Sequence, residues 1–146
     1  MIAVGADHGG LNLKNEVLRF LDEAGIACQD FGTYTPDSCD YALMVKEPLR
    51  AVLSGECEKA LLFCGTGIGI SMAANKTPGI RAAVCSDVFS AKYTRLHNDA
   101  NVLCLGGRVV GAGLACELVE VFLKTEFEGG RHQRRIDQLK ELEEGR

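Results

Sequence analysis

Short apolar runs alternate with amphipathic stretches along the chain, the pattern of successive βαβ units. Five runs read as strands: Ile2–Gly5, Ile26–Phe31, Ala60–Phe63, Arg81–Cys85 and Val102–Leu105. Several are apolar at odd and even positions alike, as expected of parallel strands covered on both faces. Between them, Leu13, Val17, Phe20, Leu21 and Ala24 recur at three- and four-residue steps and predict a helix that stops at Gly25. A second helix is expected over about Tyr41–Leu53, distorted or split by Pro48. Others are expected from Gly69 to Asn75, from a Ser86 or Asp87 cap through His97, over Gly113–Lys124, and over Arg131–Glu144. The last carries only a thin apolar stripe of Ile136, Leu139 and Leu142. Right-handed crossovers leave few topologies for such a string. The economical one is a single-domain, Rossmann-like α/β/α sandwich over residues 1–146, with a five-stranded parallel sheet and a C-terminal helix.

Composition narrows the class without changing that picture. Hydrophobic residues make up 47% and charged residues 25%, ordinary for a globular domain. No stretch approaches the ~18–20 apolar residues of a membrane span, and the opening residues lack the basic region of a signal peptide. Seven cysteines form an odd set with no Cys-x-x-Cys pair. They are expected to be reduced thiols in a cytoplasmic protein. A net charge of −4 argues against a nucleic-acid partner.

Against that acidic background, Arg131-His132-Gln133-Arg134-Arg135 places three arginines in five residues. They stand at the positive end of the last helix, with Glu141, Glu143 and Glu144 at its negative end. Each placement is unfavourable by a few tenths of about 1 kcal/mol. Either the helix is a solvated tail, or its basic end is arranged for an external anion. Arg131 and Arg135 are four apart and share a helix face, so both forks can grip one phosphate.

Ligands of open parallel sheets bind beyond the carboxyl ends of the strands. The residues expected there are Asp7, His8, Gly9 and Gly10; the loop Cys64-Gly65-Thr66-Gly67-Ile68-Gly69-Ile70-Ser71; Ser86 and Asp87; and Gly106, Gly107 and Arg108. The glycine-rich loop before a helix N-terminus suits a phosphate or a developing oxyanion, although tight packing alone also uses such turns. It fits neither the dinucleotide fingerprint, since Ile70 stands where a glycine is needed, nor a P-loop. Cys64 enters this loop directly from a strand, where N–H dipoles favour a thiolate. A cysteine phosphatase wants an arginine six residues on, and Ile70 is there instead. Proton transfer by the thiolate is the chemistry that remains. The three histidines, His8, His97 and His132, show no metal-ligand spacing. His8 beside Asp7 favours a site role, while His97 is either a capping residue or a functional one.

With these residues in view, the chain closely resembles the ribose-5-phosphate isomerase B family, which also includes galactose-6-phosphate isomerase subunits. The segments that carry the resemblance are Gly5–Gly10, Asp30–Thr33, Cys64–Ser71 with Ala73–Lys76, Gly79–Ala82, His97–Leu103, Gly106–Arg108 and Glu128–His132. They span nearly the whole chain in order.

The resemblance implies an aldose–ketose isomerase of carbohydrate metabolism that uses neither metal nor cofactor. Ribose 5-phosphate is the leading substrate. It implies Cys64 as the base between C1 and C2, Thr66 assisting the proton, and amides from Gly65 to Ser71, including Gly67, Ile68 and Gly69, around the enediolate. His97 would open the sugar ring with Asp7 near the sugar oxygens. His8, Arg131 and Arg135 would hold the phosphate, with Asn98 and Arg108 also touching substrate. A branch of the family lacking the cysteine uses a glutamate at the position of Ile70.

Homodimers or tetramers with shared active sites are implied as well. One segment departs from the family, which commonly has Asp-Tyr-Pro where this chain has Asp40-Tyr41-Ala42-Leu43-Met44. Allose, galactose or tetrose phosphates therefore stand as alternative substrates. A non-catalytic sugar-phosphate binding module on the same scaffold is the alternative to an enzyme.

Overall fold

In the computed structural model, which describes residues 1–146, all five expected strands lie in one parallel sheet of order β2-β1-β3-β5-β4. They are β1 (Ile2–Ala6), β2 (Cys28–Asp30), β3 (Lys59–Cys64), β4 (Ala82–Val84) and β5 (Val102–Gly106). The central three are five or six residues long, and the edge strands β2 and β4 are shorter than expected, at three residues each. An edge strand has one partner and is half exposed, so the apolar run overstates the paired length.

Register sets out the site: Ala6 lies opposite Phe63, and Cys64 opposite Gly106. The residues after β1, β3 and β5 thus share one edge.

Seven helices surround the sheet: α1 (Leu11–Glu23), α2 (Tyr41–Met44), α3 (Lys46–Leu53), α4 (Ile68–Ala74), α5 (Val88–Asn98), α6 (Ala112–Lys124) and α7 (Arg131–Glu143). Gly25 stops α1 with a φ of +70°, as expected. The helix expected over Tyr41–Leu53 is two, broken at Val45. Pro48 has no N–H for the Met44 carbonyl and is accommodated in the first turn of α3.

Side chains alternate across the central strands. Val4, Leu61, Phe63, Leu103 and Leu105 pack under α1, α5 and α6, and Ala3, Leu62, Cys64 and Cys104 pack under α3 and α4. Each large apolar side chain so enclosed contributes about 1.5–3 kcal/mol. Lys14 is fully buried, its ammonium bonded to both Asp30 oxygens (2.7 and 2.8 Å) and to the Thr33 carbonyl, which ties α1 to the end of β2. This gives the Asp30–Thr33 segment a structural role. No helix is long and apolar enough to cross a membrane.

Candidate active site

At the carboxyl edge of the sheet, Asp7 accepts the Gly9 and Gly10 N–H groups on Oδ1 at 2.9 and 3.1 Å, folding His8–Gly10 into a 3-10 turn. The turn lies directly on β3, where a Cβ at Gly10 would stand 2.3 Å from the Phe63 carbonyl carbon. Glycine is required for that approach, and through it Asp7 and His8 sit beside Cys64. The His8 Nδ1 accepts the Cys39 N–H at 3.2 Å.

Gly67 has a φ of +79°, the left-handed conformation that turns its N–H back to the Cys64 Sγ at 3.0 Å. Arg108 folds over the loop, its Nη1 3.1 Å from where a Gly65 Cβ would stand. The Tyr41 ring packs against Gly69, so the segment that departs from the family lies over the first turn of α4.

Two expectations need correction here. Cys64 is only 4% exposed, more enclosed than a residue at the mouth of the sheet. Its Sγ meets the loop at the Gly67 N–H. The loop amides are also partly spent within the loop: Gly67 N–H on Cys64, Ile68 N–H on Thr66 Oγ1, and Ser71 N–H on the Gly67 carbonyl. The Ser71 hydroxyl donates to the Ile68 carbonyl. Gly69 and Ile70, in the first turn of α4, keep N–H groups with no acceptor in the chain, as a helix start dictates. Ile70 itself is fully buried core.

Among the seven cysteines, Cys64 is the one whose sulfur accepts a hydrogen bond. Burial pushes the Cys85 thiol up to about 11 and the Cys104 thiol well above the usual 9.0. Cys28, Cys57 and Cys116 are also raised, burial again leading. Of these, Cys57, Cys85 and Cys104 are buried in the core, and Cys28 and Cys116 are partly exposed.

The remaining candidates gather elsewhere. His97, Asn98, Arg131 and Arg135 line one cavity of ≈ 790 Å³ between the end of α5 and α7. Because α5 runs back against the strand direction, this cavity lies at the amino edge of the sheet. Arg81, just before β4, bonds the Asn98 and Asp99 carbonyls, and the neighbouring Asn101 carbonyl accepts the Ala60 N–H at the start of β3. Ala60 to Cys64 alone spans about 13 Å of strand. Within one chain, Asp7, His8, Cys64, Thr66 and Arg108 therefore form one cluster, and His97, Asn98, Arg131 and Arg135 another at the opposite pole.

The second cluster contains residues that sequence reasoning passed over. The His132 ring stacks on His97, centroids 4.0 Å apart and 12° from parallel, and Tyr93 meets His97 edge-on. Phe89, Tyr93 and His97 recur every four residues on α5, a signal present in the sequence. His132 is buried, and its Nε2 has no hydrogen-bond partner. The Glu128 carboxylate stands 3.8 Å from the Nε2 of both histidines. His97, Glu128 and His132 offer donor atoms within 4.8 Å of one another. Imidazole lone pairs lie in the ring planes, however, and those of stacked rings run side by side instead of converging on one ion, so the cluster does not suit a metal.

The His132 imidazole is held below its ordinary 6.5, first by burial and then by His97, with Arg131 and Arg135 adding and Glu128 opposing. The unfolded chain then binds this proton more readily, so the stabilisation is complete above pH 6.5 and is lost as pH falls toward the lower folded value. Calorimetric melting temperatures are expected to decline on acidification below about pH 6.5, and less steeply in His132→Asn. An equal slope in that variant would exclude His132 as the source.

A family profile described as Ribose/Galactose Isomerase matches residues 2–139. The chain is 46% identical to ribose-5-phosphate isomerase B of Escherichia coli (strain K12), over 99% of this chain and 97% of that protein. It is 38% identical to D-erythrulose-4-phosphate isomerase of Pectobacterium atrosepticum, over 94% and 91%. The solved structure of Clostridium thermocellum ribose-5-phosphate isomerase B superposes with a TM-score of 0.96 at 51% identity, over 99% of this chain and 97% of that one.

Proposed function

The chain belongs to the ribose/galactose isomerase family, and on that premise we propose that it interconverts ribose 5-phosphate and ribulose 5-phosphate through an enediolate. The observation that carries this reading is the Cys64 Sγ held 3.0 Å from the Gly67 N–H inside a loop with further unspent amides. An N–H aimed at sulfur stabilises negative charge there. The thiolate takes the proton from C2 of the open aldehyde, the electron pair moves onto the carbonyl oxygen, and the proton returns to C1. Thr66 relays the proton between the two oxygens, and the Gly69 and Ile70 amides face the charge that develops. His97 opens the ring, with Asp7 and Asn98 at the sugar and His8, Arg108, Arg131 and Arg135 at the phosphate.

The reading requires two copies of the chain, since the base and the ring-opening histidine lie at opposite poles of one. A homodimer that sets α7 of one copy against the β3–α4 loop of the other assembles two complete sites. Exposed apolar side chains support the pairing at both poles: Ile68 and Met72 on α4, and Leu139 and Leu142 on α7. Ile136, counted in the α7 stripe, is instead buried in its own chain. Seven unpaired thiols fit a reducing compartment such as the cytoplasm.

A panel of ribose, allose, galactose and tetrose phosphates assayed for ketose in D2O tests the function. Ribose 5-phosphate is expected to turn over fastest, with solvent deuterium at C1 of the ketose; no ketose from any of them would overturn the reading. A faster tetrose reaction would assign the apolar Ala42–Met44 segment a part in substrate choice instead. Arg135→Ala is expected to raise KM about 10–100-fold with a smaller change in kcat, a charge-assisted contact being worth ~1.5–3 kcal/mol. An unchanged KM would release Arg135 from the phosphate.

A further inference from the structure

The stacked His97–His132 pair presents two ring nitrogens on one side, both 3.8 Å from one carboxylate: His97 to Glu128 Oε2 and His132 to Glu128 Oε1. Parallel rings send their Nε2–H bonds out in parallel, and a carboxylate offers two oxygens side by side to receive them. We propose that Glu128 is a positioning residue for ring opening, clamping both imidazoles at Nε2 and so holding the plane of His97 and its proton on that nitrogen. The proposal rests on the ring-opening role of His97.

Three features of the surroundings support it. The buried His132 Nε2 lacks a partner, which is costly unless one closes on it. The Glu128 backbone is already fixed, its N–H bonded to the Leu96 carbonyl beside His97 at 3.1 Å, while Arg95 binds the Thr125 carbonyl earlier in the same loop at 3.0 Å. The Glu128 side chain is 55% exposed and free to move. A closure of about 0.8 Å makes both bonds, in keeping with catalytic hydrogen bonds that tighten only in the substrate complex.

The clamp gives His97 a defined proton ledger. With Nε2–H held on Glu128, the Nδ1 lone pair takes the proton of the anomeric hydroxyl. The C1–O1 carbonyl forms as the bond from C1 to the ring oxygen breaks, and the same proton passes to that ring oxygen. His97 ends as it began, and the carboxylate stabilises the imidazolium formed in between.

Ribose 5-phosphate is mainly cyclic, whereas ribulose 5-phosphate cannot close a five-membered ring because its C5 oxygen carries the phosphate. Exchange of solvent deuterium into ribulose 5-phosphate therefore reads the Cys64 step alone, and conversion of ribose 5-phosphate reads ring opening as well. Glu128→Gln, of unchanged shape, is expected to lower kcat on ribose 5-phosphate roughly tenfold and to leave the exchange rate within about twofold. His97→Asn should show the same split, more strongly. A Glu128→Gln enzyme that loses both rates equally, or neither, overturns the clamp while a split in His97→Asn keeps the ring-opening role. If His97→Asn shows no split, that role falls and the clamp with it.

Discussion

Cys64→Ala chains are expected to fold, to retain phosphate, and to convert aldose phosphate to ketose about a thousandfold more slowly than the parent protein, the midrange of what a positioned acid or base contributes. The other base position known in the family cannot take over. Ile70, where a glutamate base stands in one branch of the family, is fully buried and apolar. The Asp7 carboxylate is engaged through Oδ1 by two amides. Cys64→Ser is expected to fail nearly as completely, since a hydroxyl of similar size stays protonated near neutral pH.

The loss should not be one of folding. Cys64 packs under α4 within a larger apolar cluster, and removing one sulfur leaves a small cavity costing about 1–2 kcal/mol. Circular dichroism and a thermal melt separate the two effects, and calorimetry with inorganic phosphate reads the arginine site independently. Turnover near the parent rate in either variant would take the thiol out of the mechanism.

The second large effect is a gain. In the proposed homodimer, Cys64→Ala removes the base from both sites, and Arg131→Ala/Arg135→Ala removes the phosphate anchor from both. When the two are unfolded together and refolded as an equal mixture, activity is expected to return to about a quarter of the parent level, because about half the dimers are mixed and one of their two sites is intact. The intact site takes Cys64 from one chain and the arginines from the other. If each site were built from one chain, every site in the mixture would carry a defect and activity would stay at the level of the variants. The experiment reads the assembly directly, since the two clusters lie at opposite edges of the sheet in one chain.

Much of the fold was legible because it is locally encoded. Apolar runs at both parities marked β1, β3 and β5, and Gly25 closed α1 where a left-handed residue was needed. The edge strands came out shorter than their runs because hydrophobicity does not report which strand has a single partner. The candidate site was legible in its residue types: a cysteine entering a glycine loop, and two arginines one helical turn apart. What escaped was anything between distant segments. His97 and His132 are 35 positions apart, yet their rings stack, and Glu128, four residues before His132, completes the group.

By itself the sequence determined the βα alternation, the chemistry gathered at the strand ends, and a basic face on the last helix. All three follow from periodicity and chain neighbours, which act over a few residues. Only the tertiary structure decided that the thiol is enclosed with its sulfur on the Gly67 N–H, that three loop amides are spent within the loop, and that the histidine and arginines stand at the far edge. Those outcomes depend on the strand order and on α5 running against the sheet, and the length of β3 then keeps the two clusters apart. No local pattern measures that distance.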